Sequence, residues 1–271
     1  MKIFDCFIFF NELELLELRF MELYDVVDYF VIVEANQTHT GKPKEFIFEK
    51  NKDRYAKYLG KVIHVKVEDC PMYSLDNVAI IEHFQRNAIM RGLDGVACKD
   101  DKILISDMDE IPSPEAIKAN ISNPDWIYFD QALFYYYVNC QVKKSCGGSV
   151  MATYGTFSSP QSLRRFAKRR YRALPSIRED IFFNGGWHYS YLTGGDIDRI
   201  KYKVENIFES SGILNLIGTK EDIAKKVASQ KDLYGRTRDR HEMSIVDISK
   251  TKPRSMDKFL EKYPQFFYKE T

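Results

Sequence analysis

The stretch Lys102-Ile103-Leu104-Ile105-Ser106-Asp107-Met108-Asp109-Glu110-Ile111-Pro112-Ser113-Pro114 decides the fold class. Its apolar run, Ile103 to Ile105, predicts a short buried strand. The strand leads into Asp107, Asp109 and Glu110. Ser113 is then positioned to cap a helix with Pro114 as its first residue. The carboxylates therefore belong at the C-terminal end of a strand, ahead of a helix. In open α/β sheets that edge is where ligands bind. Mg²⁺-type ions take oxygen ligands, commonly one or two carboxylates together with substrate phosphates. An Asp-x-Asp pair at that edge fits this use; the competing reading is a solvated acidic turn.

Upstream, the same strand-then-helix grammar repeats. Lys2 to Phe10 predicts strand one, and Asn11 with Glu14 predicts a capped helix carrying Leu13, Leu16, Phe20 and Leu23 on its core face. Asp28 to Glu34 is nearly all apolar and predicts a strand buried on both faces. Lys61 to Val67 predicts a third strand. A helix capped by Ser74 or Asp76 is expected to run to about Arg91 and stop at Gly92. This alternation predicts a Rossmann-type, mostly parallel sheet.

Downstream of Pro124 the composition changes. Trp126 to Val138 is dense in aromatics, and Arg164 to Arg172 holds six basic residues in nine. Thr219 is expected to cap a late helix. With no repeat or low-complexity linker, the 271 residues read as one domain, 1–271, with a ligand-binding first half (1–123) and an aromatic-rich, acceptor-side second half (124–271). A 44% apolar content supports a sizeable core, and a net charge of +1 gives no argument for nucleic acid. Five scattered cysteines without a Cys-x-x-Cys pair read as reduced thiols. Neither a signal peptide nor a membrane span is recognisable. The expected location is the cytoplasm, with peripheral membrane attachment as an option.

Several blocks, in one order, resemble glycosyltransferase family 17. They are Asp5-Cys6-Phe7, Phe9-Phe10-Asn11-Glu12-Leu13, Leu23-Tyr24-Asp25-Val26-Val27-Asp28 and Val33 to Pro43 (VEANQTHTGKP). Asp107-Met108-Asp109-Glu110-Ile111-Pro112, Ser159-Pro160-Gln161-Ser162-Leu163-Arg164 and Gly186-Trp187-His188-Tyr189-Ser190 continue the match. The resemblance implies a GT-A-like, inverting glycosyltransferase that uses Mn²⁺ (or Mg²⁺) and a nucleotide sugar. In the animal members the donor is UDP-GlcNAc and the product is the bisecting GlcNAc of N-glycans.

On that basis each candidate residue receives a role. Asp109 is the expected direct metal ligand; Asp107 acts through water or on the ribose, and His188 is a late metal ligand. Asn11 and Glu34 are candidates for base or ribose contacts. Arg86 is a candidate for phosphate, as a planar fork, and Trp187 for a sugar face. Lys44 is a weaker binding candidate, and Glu110 can instead face a helix N-terminus. An inverting transfer needs a base for the acceptor hydroxyl. Asp180 is the first choice and Glu179 the second, ahead of Asp196 and Asp198. The run Arg164 to Arg172 reads as a solvated face, or as a contact for a polyanionic acceptor or an anionic membrane surface. Two other functions compete: a metal-dependent phosphohydrolase or nucleotidyltransferase using the same carboxylates, and a non-catalytic glycan- or membrane-binding module.

Overall fold

The computed structural model describes residues 1–173, 179–207, 217–236 and 241–269. Strand β1 (Ile3–Phe9) is followed by helix α1 (Leu13–Leu23), β2 (Tyr29–Ala35), α2 (Ile47–Asn51), a 3₁₀ segment and β3 (Val62–Val67). Then come α3 (Ile80–Asn87), α4 (Ile89–Leu93), β4 (Lys102–Asp107), β5 (Glu110–Pro112) and α5 (Pro114–Asn120). The second half contributes β6 (Ile127–Tyr135), β7 (Cys140–Val142), β8 (Cys146–Thr153), α6 (Pro160–Ala173), β9 (Ile181–Phe182) and β10 (Gly186–Ser190). Helix α7 (Ile197–Asn206), α8 (Lys220–Ala228), β11 (Met243–Ile245) and α9 (Met256–Lys262) complete the chain.

The principal sheet has the order β11-β7-β6-β8-β4-β1-β2-β3. Its first-half strands, β4, β1, β2 and β3, are parallel to one another. Beyond β4 the sheet turns antiparallel through β8, β6 and β7. The result is an α/β, Rossmann-type sheet with an aromatic-rich second half.

The parallel strands are covered on both sides. Along β1, Ile3, Phe7 and Phe9 face one core with Leu16, Phe20 and Leu23 of α1, while Phe4, Cys6 and Ile8 face a second core with Ile89 and Leu93 of α4. Alternation along a strand produces this split, and burial on both faces explains the nearly unbroken apolar sequence.

Three local expectations differ from the structure. Asn11 does not cap α1; the N-cap is Glu12, and no side chain caps the helix. Instead the Glu12 carboxylate turns back and accepts from the backbone N–H groups of Asn11 (3.0 Å) and Phe10 (3.4 Å). The expected long helix ending at Gly92 is two short helices, and neither Ser74 nor Asp76 caps them. Gly92 lies inside α4, where a Cβ would stand 2.6 Å from Val31 Cγ1 and 2.9 Å from Val65 Cγ2. It is there so that the helix can approach the sheet, not to end the helix. By contrast, Ser113 Oγ accepts from Ala116 N–H at 3.0 Å, with Pro114 opening α5, and Thr219 forms a capping box with Asp222.

Candidate active site

The loop after β4 is held from beneath by one buried arginine. Arg19 of α1 donates twice to Asp5, Nε to Oδ2 at 2.7 Å and Nη2 to Oδ1 at 2.5 Å. Its remaining nitrogen, Nη1, donates to the carbonyl oxygens of Glu110 (2.7 Å), Met108 (3.2 Å) and Asp107 (3.3 Å). A guanidinium presents five donors in a rigid fork. One side chain therefore neutralises a buried carboxylate and fixes the backbone of the whole Asp-x-Asp-Glu turn.

Asp107 is gripped by two more arginines. Arg86 Nη2 donates to Oδ1 at 2.8 Å and Arg164 Nη2 to Oδ2 at 2.6 Å. Arg164 also donates to Glu110 Oε1 at 2.6 Å and to the Gly148 carbonyl at 2.8 Å. The other Glu110 oxygen accepts the Asp107 backbone N–H at 2.8 Å. Burial opposes ionisation of Asp107, but Arg164, Arg86 and Lys168 outweigh it and hold the carboxyl far below the usual range.

Asp109 faces a different set. Its Oδ1 is 3.5 Å from His188 Nε2, and its Oδ2 accepts from Lys203 Nζ at 3.2 Å. Lys203 is also 2.9 Å from Glu12. Burial opposes the charged form of Lys203, yet the two carboxylates raise its pKa. The other imidazole nitrogen, His188 Nδ1, is 3.2 Å from Cys146 Sγ. Burial disfavours the imidazolium, but Cys146, Asp109 and Glu110 push His188 up to about 10.

Sheet pairing explains how His188 reaches Asp109. Strand β10 runs antiparallel to β5, with His188 opposite Glu110, and parallel to β6, with His188 opposite Leu133. Tyr189 N–H donates to Asp109 O at 2.8 Å. The pairing begins at Gly186, whose φ is 147° and where a Cβ would meet Ile111 O at 2.2 Å. Only glycine allows this approach.

These side chains line a cavity of about 330 Å³ over the C-terminal ends of the parallel strands. Ile8 to Phe10, Gln37, His39 and Lys44 form its first-half wall, and Asp107 to Glu110, His188 and Lys203 its floor. A second cavity of about 750 Å³ shares Tyr135, Cys146, Gly147, Lys168, Arg172 and Arg236 with the first. The shared basic residues explain the run in α6. Arg164, Lys168 and Arg172 lie four residues apart, on one face of the helix, and Lys168 and Arg172 line both cavities. Arg165, Arg169 and Arg170 are exposed, and so is Arg172, although it also lines both cavities. The run has an inward face, Arg164 and Lys168, that opens to solvent at Arg172, and an outward face.

Asp107, Asp109 and His188 thus come together, and Glu110 joins them as the buried partner of Arg164. The other candidates are placed differently. Arg86 is spent on Asp107, Glu82 and Gln161, so it orients the carboxylate and does not line the cavity. Glu34 is fully buried and holds Lys44 at 2.9 Å, His64 at 3.2 Å and the Phe48 N–H at 3.1 Å. Through Lys44 it touches the cavity indirectly. Asn11 lines only a small side cavity beneath Lys203. Trp187 packs against the core and donates Nε1–H to Thr251 O. Asp180 lies 3.4 Å from Arg170, and neither it nor Glu179 lines either cavity. The adjacent Arg178 lies outside the described residues. Asp196 caps α7 and Asp198 pairs with Lys220.

Sequence reading gave no role to Glu12, Cys146 or Lys203. Glu12 lies in one of the blocks that carry the family resemblance, but no local pattern marks Cys146 or Lys203, because β8 and α7 meet the Asp-x-Asp loop only through the tertiary fold. The inward face of α6 was available from helical spacing.

A divalent ion fits part of this donor set. Among the described residues no group of three or more His, Cys, Asp or Glu converges on one point. Asp109 and His188 do converge, and an ion whose other positions are filled by phosphate oxygens and water needs no more. Asp107 does not fit as a direct ligand, since each of its oxygens carries an arginine.

A parallel sheet edge, a cavity over it and an acidic loop backed by arginines define an α/β protein with a polar cavity at the edge where such sheets bind ligands. The chain belongs to glycosyltransferase family 17, whose family model matches residues 1–250. It is 32% identical over 114 residues to the human β-1,4-mannosyl-glycoprotein 4-β-N-acetylglucosaminyltransferase, a match covering 40% of this chain and 21% of that enzyme. The rat enzyme matches equally, at 32%. The alignment thus spans about a fifth of the length of these curated relatives. Two solved structures are similar in outline. The inositol-1-phosphate CTP transferase from T. maritima is 13% identical with a TM-score of 0.37, covering 69% of this chain and 86% of that one. HddC from Yersinia pseudotuberculosis is 11% identical with a TM-score of 0.36, covering 68% and 90%. No helix among the described residues is long and apolar enough to cross a membrane.

Proposed function

We propose that this chain transfers a sugar, GlcNAc from UDP-GlcNAc, to a glycan hydroxyl with inversion, giving a β linkage from an α-linked donor. The observation that carries this reading is that Asp107, Asp109 and Glu110 share one cavity with residues at the ends of β1 and β2. A nucleotide laid along that edge directs its diphosphate toward the acidic loop. In family 17, a sugar transferase, that arrangement suits a donor diphosphate as leaving group.

The residues then divide the work. Phe10, Gln37 and Lys44 form the nucleotide wall. Asp107, locked by Arg86 and Arg164, is a fixed anion whose position varies little. Asp109 and His188 would hold a Mn²⁺ ion, which supplies positive charge to the leaving diphosphate. Lys168, which already acts on Asp107, stands ready to share that charge. No covalent sugar–enzyme bond is required: in one displacement the acceptor oxygen bonds to the anomeric carbon, the diphosphate leaves with the electrons of the old bond, and the hydroxyl proton passes to a cavity carboxylate or to water.

Thermal shift with a panel of nucleotide sugars, with and without Mn²⁺, tests the donor, since a ligand of the native state raises its stability by mass action. UDP-GlcNAc should give the largest Mn²⁺-dependent shift, and Asp109→Asn should abolish that dependence along with most transfer. An unchanged Mn²⁺ titration in Asp109→Asn would overturn the metal assignment. A retained anomeric configuration by NMR would overturn inversion.

A further inference from the structure

The second cavity is chemically unlike the first. Its lining contains four permanent cations, Lys144, Lys168, Arg172 and Arg236, and one carboxylate, Asp232. That carboxylate is used up. Arg236 donates to its Oδ1 at 2.5 and 3.0 Å, and the N–H groups of Tyr234 and Arg236 donate to its Oδ2 at 3.0 and 2.9 Å. Among the described residues, none of Lys144, Lys168 and Arg172 has a carboxylate within salt-bridge distance, although Lys168 acts on Asp107 and Lys144 on Asp130 from further away. The hydroxyl of Tyr128, on a fully buried side chain in the same wall, has no hydrogen-bond partner.

Donors and acceptors decide what such a cavity can hold. Lys and Arg donate and cannot accept. A neutral saccharide presents hydroxyls that both donate and accept, and sites for them supply carboxylates and amides. This lining contains neither Asn nor Gln, its one carboxylate is committed, and its remaining polar side chains, Ser145, His241 and three tyrosines, face four cations. Ionised phosphate and carboxylate are acceptors only, so they match it. Charge-assisted hydrogen bonds to such groups are shorter and stronger than neutral ones. We propose that the second cavity is the acceptor site and that the acceptor is an anionic saccharide, one bearing a phosphate or a carboxylate. The acceptor role rests on the glycosyl-transfer reading above; the anion preference rests on the lining alone.

Isothermal titration with mannose 6-phosphate, glucuronate and mannose tests this, with UDP present at saturation to fill the first cavity. At least one anion should bind about tenfold or more tightly than mannose, with affinity falling as salt is raised. The tighter of the two anions identifies phosphate or carboxylate as the natural group. Lys144 lines the second cavity and not the first. Lys144→Gln with Arg172→Gln should therefore weaken anion binding by about tenfold while leaving mannose unaffected. Tyr128→Phe removes only the unpartnered hydroxyl, so it should fold normally and weaken the anion several-fold. Equal binding of mannose and both anions, or undiminished anion binding in Lys144→Gln/Arg172→Gln, overturns the inference. Absence of any nucleotide-sugar shift, with the anion preference intact, would sink the transferase reading and leave an anion site standing.

Discussion

Replacing Arg164 by Met puts the arginine grip on the acidic loop to a quantitative test. The Arg164 and Glu110 side chains are 5% and 3% exposed, and their contact is 2.6 Å. Removing one partner of a buried pair costs about 3–5 kcal/mol, because the other charge is left uncompensated. The freed Gly148 carbonyl adds roughly 1 kcal/mol. Asp107 is 32% exposed and keeps Arg86, so solvent and that arginine absorb most of its share. The expected total is about 5 kcal/mol. For a chain of this size that lowers Tm by about 10–20 °C. Circular-dichroism melts and urea titrations would measure it. Glu110→Gln on the Arg164→Met background leaves no orphaned charge at that contact, so the double variant should lose less than the two singles together, by about 2 kcal/mol. A Tm within about 3 °C of the parent for Arg164→Met, or strict additivity in the cycle, would refute the assignment.

Three further outcomes are expected. His188 has its pKa raised to about 10 in the folded protein against about 6.5 unfolded, so its contribution is complete below pH 6.5 and is lost as pH rises toward 10. In EDTA, parental stability should fall across that window by on the order of 5 kcal/mol more than that of His188→Gln; parallel pH profiles would show that the imidazolium is not stabilising. Gly92→Ala pushes a methyl into Val31 and Val65 and should cost about 1–3 kcal/mol by urea denaturation, and a neutral result would mean that α4 can lift off the sheet. Asp180→Asn should leave kcat within about twofold, since Asp180 lines neither cavity. A large kcat loss with normal donor binding would return Asp180 to the role of base.

The chain's own order of residues determined the parallel half of the fold and the location of the acidic loop. Strands buried on both faces read as apolar runs, and helix caps such as Ser113 act within a few residues, so β1, β2, β4 and α5 were legible. The Asp-x-Asp edge followed from that grammar, because a strand's C-terminal end in an open sheet is a binding edge wherever it occurs. Single residues whose role depends on distant partners were not legible. Arg86 has the chemistry of a phosphate binder, but a long-range pair with Asp107 employs its guanidinium. Glu34 looked like a ribose contact at a strand end, yet Lys44 and the Phe48 N–H occupy its oxygens. Lys203 and Cys146 carried no signal at all, since neither has a motif and each meets its partner only when α7 and β8 fold onto the loop. Local sequence encodes periodicity and capping, which act over one or two turns. Which charge neutralises which is decided by packing between elements far apart in the chain, and that is a property of the tertiary structure alone.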